Sequence, residues 1–80
     1  MPYQLASKAY LHSLYVGKPI SICTESISSQ KWQSLDFITR ITLDAITTRT
    51  HGYFSYRTGY HLGIQVGATS YIEEYINPEP

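Results

Sequence analysis

Cys23 is the only cysteine in a chain of 80 residues. A domain of that length buries about 60% of the surface its unfolded chain exposes, so its core is thin. Small secreted domains often compensate with disulfides, but an internal disulfide is impossible here. Stability must come from packing alone. A lone thiol also points to a reducing compartment, so the expected location is cytoplasmic. Cys23 itself reads as a small buried apolar residue in a strand.

Hydrophobic residues make up 42% of the chain, too many for a disordered one. No run approaches the roughly 20 apolar residues that span a bilayer. The N-terminal stretch lacks a charged start, an apolar block and a small-residue cleavage site, so no secretory signal is expected. One domain over residues 1–80 is the simplest organisation.

Spacing predicts an α+β fold. Tyr3, Ala6, Tyr10 and Leu14 recur at helical steps, giving an N-terminal helix over 3–15 with Gly17 and Pro19 beyond its end. Leu11 and Tyr15 would share a second face. Ile20 and Ile22 alternate with Ser21 and Cys23 in a strand over 19–24, with Pro19 at its first position. Residues 28–48 are rich in Ile and Thr, which favour strands. At 100° per residue, however, Gln33, Asp36, Arg40, Asp44 and Thr47 collect into one polar stripe. Trp32, Leu35, Ile38, Ile41, Ala45 and Ile46 fill the rest. Asp36 with Arg40, and Arg40 with Asp44, have ion-pair spacing on a helix. The pattern predicts a central helix over about 28–48.

Residues 53–66 predict a β-hairpin turning at Thr58-Gly59. A two-residue loop pairs Arg57 with Tyr60, Tyr56 with His61, Ser55 with Leu62, Phe54 with Gly63 and Tyr53 with Ile64. Ser70 and Glu73 have capping-box spacing, and Tyr71/Tyr75 and Ile72/Ile76 are four apart. A short C-terminal helix stopped by Asn77 and Pro78 follows. The expected architecture is a small antiparallel sheet (hairpin 53–66 plus strand 19–24) packed on the central helix, with helices at both ends. A mostly helical arrangement is the alternative.

No motif for chemistry stands out. His12, His51, His61 and Cys23 show no metal-ligand spacing. No nucleophile signature surrounds Cys23 or any serine, and no glycine-rich phosphate loop is visible. The expectation is a non-enzymatic domain with no metal and no cofactor.

Six Lys and Arg balance six Asp and Glu, with residues 1–69 carrying +3 and 70–80 carrying −3. This neutrality argues against a protein held to duplex nucleic acid by charge. The eight tyrosines exceed what a thin core readily buries, and Tyr with Arg at low charge density is the composition of a protein-binding surface. Tyr53, Tyr56, Arg57, Tyr60, His61, Leu11 and Tyr15 are the candidate contacts. The expected role is a protein-interaction module, an inhibitor or adaptor masking a surface of a larger protein. Chains this small and free of motifs occur among proteins of viruses and mobile elements, anti-CRISPR proteins included. Homodimerisation through the same patch is equally compatible. The alternative is a single-stranded nucleic-acid binder using the aromatic and basic segment 51–61.

Overall fold

The computed structural model describes residues 3–63 and 65–76. It overturns the helix-packed α+β expectation: 53% of the described residues are strand and 7% helical. The elements are β1 (Tyr3–Leu5), α1 (Lys8–His12), β2 (Pro19–Ser26), β3 (Lys31–Ile41), β4 (Ala45–Thr48), β5 (Tyr53–Ser55) and β6 (Ala68–Tyr75). All six strands join one sheet in the order β1-β6-β2-β3-β4-β5, with every pairing antiparallel.

The sheet closes on itself through residues 59–62. On one side, Ser55 N donates to Tyr60 O (2.8 Å) and Leu62 N to Tyr53 O (3.0 Å), holding the segment to β5. On the other, His61 N donates to Ser70 O (2.9 Å) and Ile72 N to Gly59 O (2.9 Å), holding it to β6. The result is a small barrel, which removes most of the open edges a flat sheet would expose. Its interior holds Phe54, Ile20, Ile22, Ile38, Ile46 and Ile72, with Leu11 from α1 and Ala6 and Leu14 beside it. Each fully buried Ile, Leu or Phe contributes roughly 1.5–3 kcal/mol relative to exposure.

The central helix over 28–48 does not form. The β-branched residues extend instead into β3 and β4, joined by a turn in which Thr42 N donates to Ala45 O (2.9 Å). Ser34, Asp36 and Ile38 are the less exposed residues of β3, at a period of two, until an irregularity between Ile38 and Arg40 shifts the register. Asp36 pairs with His51 rather than with Arg40.

The N-terminal helix is short. Tyr3–Leu5 is strand, and α1 begins only after Ser7, whose hydroxyl caps it by accepting from Tyr10 N (3.1 Å). The C-terminal helix is also absent. Residues 68–75 form β6, where the Ser70 hydroxyl bonds the Thr24 hydroxyl (2.9 Å) instead of capping a helix. The stop assigned to Asn77 and Pro78 lies outside the described residues.

The strand expected at 19–24 is present and runs on to Ser26, with Pro19 first. The hairpin turn falls where Gly59 predicted it, but the loop is longer. Gly59 N donates to Ser55 O (2.9 Å), so residues 56–59 form the turn and Phe54 faces His61 rather than Gly63. The proposed pairing of Ile64 lies outside the described residues. No helix among the described residues is long and apolar enough to cross a membrane.

Candidate functional site

None of the eight tyrosines is fully buried. Tyr15, Tyr53, Tyr60 and Tyr75 are exposed, and Tyr3, Tyr10, Tyr56 and Tyr71 are half-buried. Isoleucine, leucine and phenylalanine fill the barrel, so the tyrosines form a shell around it. Two ring pairs tie this shell together edge to face, Tyr3 with Tyr75 (5.3 Å) and Tyr60 with Tyr71 (5.7 Å).

On the outer face of β6, β2 and β3, cross-strand pairing sets Tyr71 beside Cys23 and Cys23 beside Gln33. The next row sets Glu73 beside Ser21 and Ser21 beside Leu35. A groove of about 270 Å³ lies over these rows, lined by Tyr3, Cys23, Lys31, Trp32, Gln33, Tyr71 and Glu73. Glu73 is only 5% exposed. One carboxylate oxygen, Oε2, accepts from the Ser21 hydroxyl (2.7 Å) and from Gln33 Nε2 (2.7 Å). Among the described residues no cation pairs with it. Lys31, the lysine lining the groove, pairs with Glu25 (3.5 Å). The Tyr71 hydroxyl is pushed well above its usual range, first by the Cys23 side chain, then by burial and the charges of Glu25 and Glu73. It remains a neutral donor across the physiological range.

This arrangement joins aromatic surface to a desolvated carboxylate. Such a site suits an ammonium or guanidinium group, which aromatic faces and carboxylates both attract. Among the described residues no three His, Cys, Asp or Glu side chains gather to hold a metal ion.

The residues singled out from sequence are scattered. Tyr53, Arg57, Tyr60 and Tyr15 are exposed, Tyr15 with Lys18 over its ring at 5.6 Å. Tyr56 is half-buried against His12 (5.4 Å), and His61 against Phe54 (5.3 Å). Leu11 is fully buried in the core and offers no surface. The groove residues Tyr3, Trp32, Gln33 and Glu73 were not recognised as a site. Their signal is alternation: Tyr71, Glu73 and Tyr75 in β6, Ser21, Cys23 and Glu25 in β2, and Lys31 and Gln33 in β3 each recur at a period of two. No family model, curated protein or solved structure matches this chain.

Proposed function

We propose that this domain is a non-enzymatic protein-interaction module, an inhibitor or adaptor that masks a surface of a larger protein, and that its groove seats a cationic side chain of that partner. The observation that carries this reading is Glu73, a buried carboxylate held by two neutral donors and without a cation among the described residues. Burying a carboxylate is costly unless a counter-charge arrives. A lysine or arginine entering between Tyr3, Trp32 and Tyr71 would supply it. The exposed tyrosines around the groove add rigid contact area at low entropic cost. The same carboxylate repels phosphate, which favours a protein over a nucleic acid.

Trp32 is the only tryptophan and lines the groove, so its fluorescence reports occupancy. Titration with the amides of Nα-acetyl-lysine and Nα-acetyl-arginine should give a saturable change. Glu73→Gln should weaken it by about tenfold, or ~1.4 kcal/mol. A flat signal up to about 50 mM ligand, or equal binding by Glu73→Gln, rejects the reading. A saturable response to a single-stranded oligonucleotide that fades with added salt would support nucleic-acid binding instead.

A further inference from the structure

β3 has different neighbours along its length. Residues Lys31–Phe37 pair with β2, but pairing with β4 begins only at Ile38. The first half of β3 therefore has one edge that no strand covers among the described residues. Hydrogen bonding shows which groups face that edge. Ile38 directs both backbone groups toward the β2 side, donating to Lys18 O (3.1 Å) and accepting from Gly17 N (2.7 Å). Phe37 turns its carbonyl the other way, to Arg49 N (2.9 Å). Backbone groups alternate sides along a strand, so Lys31, Gln33 and Leu35 present their N–H and C=O groups at the open edge. All three residues are exposed. The open stretch stops at Leu35, because Phe37 N donates to Asp36 Oδ1 (2.7 Å) and its carbonyl is taken by Arg49.

An open edge is a template for another strand. It also carries apolar surface, with Leu35 70% and Trp32 49% exposed. We infer that a second copy of this chain pairs here, β3 to β3, antiparallel about a twofold axis through Gln33. This register sets Lys31 of each copy against Leu35 of the other, and Gln33 against itself. Three residue pairs with two bonds each satisfy all the open groups of both copies. Trp32 then lies opposite Ser34, so a large side chain meets a small one. The Lys31 stem covers Leu35 while its ammonium stays near Glu25. Other registers satisfy fewer groups. Moving the axis to Trp32 sets Leu35 against Ser29, whose N–H already donates to Ser26 O (3.0 Å). Moving the axis to Ser34 sets Lys31 against Phe37, whose groups are already used. Placing it between two residues sets groups that face the edge against groups that face β2. The self-matching of this short edge is what selects a second copy over an unrelated peptide. Lys31, Trp32 and Gln33 also line the groove, but Leu35 does not, so substitutions at Leu35 test the edge apart from the groove.

The test is sedimentation equilibrium across a concentration series, with amide hydrogen exchange read by NMR. The mass should rise from 9.1 kDa toward twice that value. The amides of Lys31, Gln33 and Leu35 should gain protection with concentration, while Trp32 and Ser34, already bonded to β2, should not change. Two equally polar substitutions read the register. Leu35→Lys sets like charges opposite each other at two symmetric positions, whereas Leu35→Glu sets an acid opposite Lys31, so the first should dimerise about tenfold more weakly than the second. A chain that stays monomeric to about 1 mM overturns the inference, even if an added peptide strand binds the edge. So does a dimer with the three amides unprotected, or one in which the two substitutions behave alike.

Discussion

The Asp36 carboxylate gathers the loop after β4. It accepts from Phe37 N (2.7 Å), Thr50 N (3.1 Å), the Thr50 hydroxyl (2.9 Å), His51 N (3.0 Å) and the His51 ring. Burial pushes this carboxyl up, but the hydrogen bonds from His51, Phe37 and Thr50 outweigh it and hold the group well below its usual 3.8. The folded state thus binds fewer protons than the unfolded chain as the pH falls below 3.8. The stabilisation is present above that value and is lost progressively in acid. Asp36→Asn presents an NH2 group to donors and should cost about 2–3 kcal/mol at neutral pH. Urea unfolding of both proteins from pH 3 to 7 checks this; equal stability throughout would show that the carboxylate holds nothing. Asp36 was legible as a polar residue on an amphipathic stretch, but its partners were not. Thr50 and His51 come within reach only after the chain turns at Thr42–Asp44.

Two elements were misread as helices for one physical reason. Asp36/Arg40, Arg40/Asp44, Tyr71/Tyr75 and Ile72/Ile76 are each four apart, and four residues bring a side chain back to the same face of both a helix and a strand. Such pairs do not discriminate between the two periods. The β-branched content of residues 28–48 did discriminate, and the strands follow it. Gly59, which has φ +82°, marked the turn, but the second hairpin strand expected over 60–66 is reduced among the described residues to isolated bridges at Tyr60 and His61. A Cβ at Gly59 would meet only ordinary contacts, Leu5 Cδ1 at 3.6 Å and Ala6 Cβ at 3.9 Å. Gly59→Ala should therefore cost about 1–2 kcal/mol from backbone strain alone. Chemical denaturation measures this. A loss above about 4 kcal/mol would point to crowding in the core instead. The groove was missed with β6, because Tyr71 and Glu73 share a face only on a strand.

At the scale of the whole molecule, β6 completes the barrel. It pairs with β1 and β2 and bonds the 59–61 segment, and its Ile72 is fully buried. Removing Ile72 side-chain volume loosens all these neighbours together. Ile72→Ala should cost about 2–5 kcal/mol, a large share of the roughly 4–12 kcal/mol available to a domain of this size. Circular dichroism and Trp32 fluorescence should report one coincident transition. Separate transitions would show that β6 can leave while the rest of the sheet stays folded.

Local chemistry was enough to establish a thin core with no covalent tie, the strand starting at Pro19, the turn at Gly59 and an excess of tyrosine beyond what the interior holds. These follow from short-range properties: ring closure at proline, left-handed backbone at glycine, the count of sulfurs and the polarity of a phenol. The choice between coil and extension in residues 28–48 and 68–75 depended on distant partners. Ser21 and Glu73 are 52 positions apart, yet adjacent strands bring them within hydrogen-bonding distance. A strand gains its hydrogen bonds from another part of the chain, so the closed barrel and the groove on its outside exist only once those parts have met.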